Sequence, residues 1–271
     1  MTPTWRSDHP PPVTRIGPLG WGLVALRGGA VLMVMLAGLL ALALARAVEA
    51  LTRNRALSPH VPRIVCRLSL RLVGIRLERS GRFDPAARVM VANHASWLDI
   101  LVLNAVAPMT FVSKSEVAGW AGIGPLARAA GTLFIARDRK QARHQEAVIR
   151  HRLAGGQRLT LFPEGTSTDG LRVLAFKPTL FAALFAAGRH TMVQPVSIRY
   201  LPPLGVDPRF YGWWGAMDFG PHALAVLAQT RRGTVKVVLS PVLDSSDFTD
   251  RKALALACEQ AVRQGHEQAA S

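Results

Sequence analysis

Val89-Met90-Val91-Ala92-Asn93-His94-Ala95-Ser96-Trp97-Leu98-Asp99 passes from four apolar residues into a polar turn and then into a helical pattern. Strand, loop and helix in that order form the repeating unit of an α/β fold. The chain on either side alternates in the same way. Runs 89–92, 110–113, 132–136, 159–162, 193–200 and 235–239 read as strands, and 98–106, 141–153, 178–187 and 252–263 as helices. The pattern predicts an α/β domain over residues 81–271, with a mixed or largely parallel sheet flanked by helices. Residues 201–220, rich in Pro, Gly and Trp, read as an irregular excursion. It is either a packed loop or a place where Tyr211, Trp213 and Trp214 meet a membrane–water boundary.

Within the opening stretch, His94 and Asp99 are the residues with chemistry. Five residues of straight helix turn through about 500°, so the two do not share a helix face. They meet if His94 lies in the loop leaving the strand and Asp99 in the first turn of the helix. Ser96-Trp97-Leu98-Asp99 also fits a helix-start signal with Ser96 as N-cap, in which Asp99 only satisfies a backbone donor. Phe162-Pro163-Glu164-Gly165-Thr166 follows another expected strand. Both segments then fall at strand-end loops, where α/β sheets build their sites.

The N-terminal third is of another kind. Residues 1–27 form a basic, Pro-containing segment, and an uninterrupted apolar run fills 28–45 between Arg27 and Arg46. As a helix those residues span about 27 Å, close to the thickness of a hydrocarbon core. The run lies too far from Met1, and lacks the cleavage-site pattern, for a signal peptide. Residues 46–80 read as a basic membrane-surface segment. In 62–77, Arg63, Arg67 and Arg71 recur every fourth residue as one stripe beside an apolar one. Such a helix either lies along an anionic membrane surface or packs on the domain with its arginines in water.

The whole chain has 271 residues, with 33 Lys+Arg against 17 Asp+Glu, a formal net charge of +16. That excess suits anionic partners. Without zinc-finger, RNP-like or heptad patterns, lipid is a better partner than nucleic acid. Cys66 and Cys258, the two cysteines, make neither a disulfide framework nor a CxxC pair. No HExxH or dense carboxylate cluster appears, and no metal is expected.

With these motifs in hand, the chain resembles the glycerolipid acyltransferase family. Asn93-His94-x4-Asp99 is similar to the first signature block of that family and Phe162-Pro163-Glu164-Gly165-Thr166 to the third. Gly131-Thr132-Leu133-Phe134-Ile135-Ala136-Arg137 resembles the second block and Val193-Gln194-Pro195-Val196 the fourth. Four blocks in order over about 88–200 are far more specific than any one alone. The resemblance implies that His94 is the general base and Asp99 its orienting acid. It implies that Arg137 grips an anionic acceptor, and that Glu164, Gly165 and Thr166 form an acceptor-binding turn. Lys114 is a further substrate-binding candidate, or else a solvated strand-end charge.

The activity so implied moves a fatty acyl group to the hydroxyl of a lysolipid. The acyl donor is acyl-CoA or acyl carrier protein as cosubstrate, and no cofactor or obligate protein partner is expected. The commonest acceptor in the family, 1-acyl-glycerol-3-phosphate, is the first expectation. The stretch from Tyr211-Gly212-Trp213-Trp214-Gly215 to Pro221-His222, together with Val193-Gln194-Pro195-Val196, looks like the branch that acylates lyso-ornithine lipid, and the motifs leave either acceptor, or both, open. A rival of another class, a non-catalytic basic protein docked on lipid, has no use for His94 and Asp99. The expected location is the inner, cytoplasmic membrane, with the catalytic domain facing the cytoplasm.

Overall fold

A computed structural model describes residues 5, 7–53, 57–114, 132–135, 142–185 and 190–270. Among the described residues, eight strands form one mixed sheet. They are β1 (Ile75–Ser80), β2 (Val89–Ala92), β3 (Thr110–Lys114), β4 (Leu133–Ile135), β5 (Leu159–Leu161), β6 (Met192–Leu201), β7 (Gly233–Leu239) and β8 (Leu243–Asp244). The order is β1-β7-β6-β2-β5-β3-β4, with β8 paired to β6. β6 runs antiparallel to β7 and β8, and the other pairings are parallel. The expected mixed sheet is therefore the observed one.

β2 and β5 lie at the centre, and every residue of both is buried. That explains the unbroken apolar character of β2, because a central parallel strand is covered on both faces, while in β5 Thr160 is a buried polar exception between two leucines. Alternation along β2 divides the core. Met90 and Ala92 pack with Leu98, Val102 and Ile198 on one face, where α3 (Asp99–Val106) lies. Val89 and Val91 pack with Phe181, Leu254, Cys258 and Val262 on the other, under α6 (Arg251–Gln268). Further helices are α1 (Pro18–Thr52), α2 (His60–Leu72), α4 (Ala142–Ala154) and α5 (Phe219–Ala228).

α1 exceeds the apolar run at both ends. Its 35 residues reach about 50 Å, and by length and composition it is able to cross a membrane. One side is packed: Gly38 lies so close to Val65 of α2 that no side chain fits, and Gly20 faces Ala228 of α5, where a Cβ would stand 3.3 Å from the Ala228 methyl. Arg27 donates to the carbonyls of Leu227 and Gln229 at 3.0 and 2.6 Å, closing the end of α5. The other side leaves Leu32, Met33, Leu36, Leu40 and Leu44 exposed. A helix at home in water buries such a row.

Two expectations are corrected, and one open alternative is decided. The helix read over 62–77 stops at Leu72, and Ile75–Ser80 is strand. Gly74, at φ +80°, makes the reversal that side chains resist. Of the helix expected over 178–187, the described residues Pro178–Phe185 form a 3-10 helix in place of an α-helix. The aromatic excursion is packed: Tyr211 and Trp214 are buried, with Tyr211 against Phe210 and Tyr200.

Candidate active site

Asn93 leaves β2 and clamps β6. Its side-chain amide donates to the Ile198 carbonyl at 2.9 Å and its oxygen accepts the Ile198 N–H at 2.8 Å, as a strand backbone would. The loop is held from two further directions. Thr168 N–H donates to the His94 carbonyl at 2.9 Å, and Trp213 N–H to the Ala95 carbonyl at 2.8 Å. Three distant segments thus hold residues 93–95 in one shape.

That shape brings His94 and Asp99 together. Asp99 opens α3, and its Oδ2 lies 2.7 Å from His94 Nδ1. The same oxygen accepts the Ala95 and Ser96 N–H groups at 2.8 and 3.0 Å. Oδ1 accepts the Tyr200 hydroxyl at 2.8 Å. Asp99 is fully buried, and these four donors replace the water that burial removes. The expected capping role of Ser96 is reversed. Its Oγ is buried without a hydrogen-bond partner, while the Asp99 carboxylate caps the Ser96 amide.

Tyr200 was not visible in the sequence as a site residue. Burial first, and then the negative Asp99, push its phenol well above the usual range, so it remains a donor. The His94 ring stacks on Phe162 at 4.2 Å and 19°, and Phe162 stacks in turn near Phe111. With Nδ1 committed to Asp99, Nε2 is the nitrogen left to take a proton.

Phe162 ties the second motif to the first. After it, Gly165 N–H closes a turn onto the Phe162 carbonyl at 3.1 Å, with Gly165 at φ +73°. Any side chain there would be strained, and it would also meet Lys177, whose Nζ lies 2.6 Å from the position of a Cβ. Lys177 is exposed and its N–H donates to the Pro163 carbonyl at 3.0 Å. It is a cation at the turn that no sequence motif marks. Gly165 and Thr166 are partly exposed beside it.

Glu164 points inward and is 2 % exposed. The backbones of His94 and Leu174 lie nearest, yet neither carboxyl oxygen makes a well-formed hydrogen bond. Burial pushes the Glu164 carboxyl well above the usual range, which favours its neutral form. Arg137 lies outside the described residues, as does the side chain of Lys114 on β3. Pro195 lies within β6, opposite Val91.

Trp97 Nε1 donates to His222 Nδ1 at 2.9 Å, and His222 Nε2 donates to the Phe210 carbonyl at 3.1 Å. Burial holds the His222 pKa below the ordinary range. This second histidine is thus a neutral structural link. Cys66 and Cys258 are buried, and their thiols are pushed up to about 12. Neither supplies a thiolate nucleophile.

An imidazole backed by a buried carboxylate, at the end of a central strand, is an arrangement able to act as a general base toward a hydroxyl. The model of the family described as Acyltransferase matches residues 77–199. Over 267 residues the chain is 47 % identical to a lyso-ornithine lipid O-acyltransferase of Rhodobacter capsulatus, covering 97 % of each. It is 31 % identical over 193 residues to a 1-acyl-sn-glycerol-3-phosphate acyltransferase of Neisseria gonorrhoeae, covering 70 % of this chain and 74 % of that one. The fold is similar to that of the 1-acyl-sn-glycerophosphate acyltransferase PlsC from Thermotoga maritima, with a TM-score of 0.60 at 19 % identity over 89 % of this chain and 97 % of that one. The chain belongs to the acyltransferase family, as its four motifs led us to expect.

Proposed function

We propose that the protein is a membrane-bound O-acyltransferase whose acceptor is lyso-ornithine lipid. His94 Nε2 takes the proton of the acceptor hydroxyl as its oxygen attacks the carbonyl carbon of an acyl thioester. The carbon–sulfur bond then breaks, and the thiolate leaves with the proton returned by the imidazolium. A thiol of pKa about 8.5 leaves without a strong acid, so one base is enough. Asp99 fixes the imidazole tautomer and balances the transient positive charge. The observation that carries this mechanism is the 2.7 Å contact between His94 and a fully buried Asp99.

The choice of acceptor is supported by likeness over nearly the whole chain to the Rhodobacter enzyme. It departs from the family's commonest acceptor, 1-acyl-glycerol-3-phosphate, which the Neisseria relative supports as the second reading. Lyso-ornithine lipid presents a carboxylate and an amine in place of a phosphate. Lys177, over the Gly165 turn, supplies a cation for that carboxylate, and Arg137 is retained as a second one from its motif. The donor is acyl-CoA or acyl carrier protein. The exposed apolar face of α1 supports placement in the membrane, with the basic remainder of the chain on the cytoplasmic side of the inner membrane.

The test offers purified protein both lysolipids with one labelled acyl donor, first on CoA and then on acyl carrier protein. Efficient acylation of lyso-ornithine lipid beside slow use of 1-acyl-glycerol-3-phosphate is expected. The opposite ranking would overturn the acceptor assignment and leave the general base untouched.

A further inference from the structure

At the edge of the sheet, α2, β1 and the turn into β7 enclose a groove of about 800 Å3 lined by Arg67, Arg71, Arg76, Arg79 and Arg232. No carboxylate lines it among the described residues. Glu78, on the same strand, pairs with Arg76 at 3.3 Å. Arg67 donates Nε to the Ala105 carbonyl at 2.9 Å, so one arginine both closes α3 and lines the groove. Burial, and then the charges of Arg63, Arg79 and Arg71, hold Arg67 below its ordinary range. So many like charges around one hollow repel each other until an anion enters.

The neighbouring surface points to the kind of anion. At about 100° per residue, Arg63, Arg67 and Arg71 share one stripe of α2, with Ile64 and Leu68 directly beside it. Ile64 and Leu68 are exposed. Past them the helix meets α1 through Val65 and Gly38, and α1 carries its own exposed leucines. A soluble anion needs only the arginines. A phospholipid uses both stripes, with phosphate on the guanidinium groups and acyl chains along the apolar row.

We propose that this groove binds the phosphate-bearing headgroup of an anionic membrane phospholipid, at a site distinct from the acceptor site at His94. The groove reaches α3 at Ala105 and Val106, whereas Asp99 stands at the other end of that helix, about 10 Å away along its axis. The inference rests on membrane placement and not on the choice of acceptor.

The full chain, purified in detergent micelles, is mixed with phosphatidylglycerol or with phosphatidylcholine, and lipid retention is read by native mass spectrometry. Wild type is expected to retain phosphatidylglycerol preferentially. The triple variant Arg71→Gln/Arg79→Gln/Arg232→Gln should lose that retention at least tenfold. These three side chains are exposed, and Arg67 keeps its bond to α3. A control of equal charge, Arg150→Gln/Arg251→Gln/Lys252→Gln, removes exposed cations elsewhere and should retain the lipid. Arg232→Gln alone, in an exposed turn, should lower retention about threefold and guards against misfolding of the triple variant.

Acyl transfer in detergent at saturating acceptor should persist in every groove variant. Undiminished retention in the groove variants, or equal loss in the control, would overturn the site. Displacement of lipid by inorganic phosphate or CoA would replace the membrane source with a soluble one and overturn the proposal. Loss of acyl transfer with retention intact would assign the groove to substrate, also against it. Wild type that binds phosphatidylglycerol but transfers no acyl group would sink the proposed reaction alone.

Discussion

Residues 93–99 and the α1–α2 pair place charge and apolar surface in opposite ways. In the loop, a buried carboxylate has four donors, and the carbonyls of His94 and Ala95 are both taken. In the helices, leucines stand exposed in a row and arginines crowd one groove that no acid lines among the described residues. The loop is complete within the protein, and its geometry is fixed before any substrate arrives. The helices are incomplete, and what they lack is apolar cover and anions, both of which a membrane supplies. On the proposed function, chemistry and location are carried by separate parts of one chain, and each is open to damage alone.

Substitutions that break the contrast on the loop side should act on rate. Asp99→Asn leaves an amide where His94 Nδ1–H and two backbone N–H groups need an acceptor. Turnover is expected to fall on the order of 10³–10⁴-fold, with vesicle association unchanged in flotation. On the helix side, Leu40→Asp places a charge within the apolar row at about 3 kcal/mol. It should shift the protein toward the soluble fraction on carbonate extraction, while turnover in detergent stays near wild type.

His266 sharpens the same contrast through pH. Its Nε2 donates to the Gly170 carbonyl and its Nδ1 faces Arg199, and burial first, then Arg199, holds its pKa down to about 4. A histidine lowered in the folded state binds its proton more readily when unfolded. Its contribution is therefore complete above about pH 6.5 and is lost as pH falls toward 4, some 3 kcal/mol in all. Melting of the detergent-solubilised protein should drop over that window, and His266→Gln should flatten the drop. Smallest is Tyr200→Phe, which removes one donor of about 2 kcal/mol to a charged group. We expect kcat to fall roughly tenfold with KM for the acceptor nearly constant, in steady-state assays.

The sequence exposed what is local and concealed what is assembled. β2, the loop and α3 were legible because apolar run, polar turn and helical pattern follow one another within eighteen residues. Tyr200 was not, since it reaches Asp99 from 101 positions away and no spacing rule connects them. Lys177 lacked a motif, and only the Gly165 turn reveals it. The first residues of β1, 75–77, read as helix because Arg76 prolongs the basic character of α2, and the break depends on the backbone of Gly74. α5 went unread because Gly220 and Pro221 open it, and its place is set by packing on α1. The arginine stripe was visible, but its partners on β1 and before β7 become neighbours only through the β1–β7 pairing.

The most direct measurement is single-turnover acyl transfer by His94→Ala in lipid vesicles, beside wild type, with the bound fraction recorded on the same samples. A rate lower by about 10²–10⁴-fold and full membrane association are expected. A variant that still transfers acyl groups at the wild-type rate would contradict the general-base assignment, whatever its hold on the bilayer.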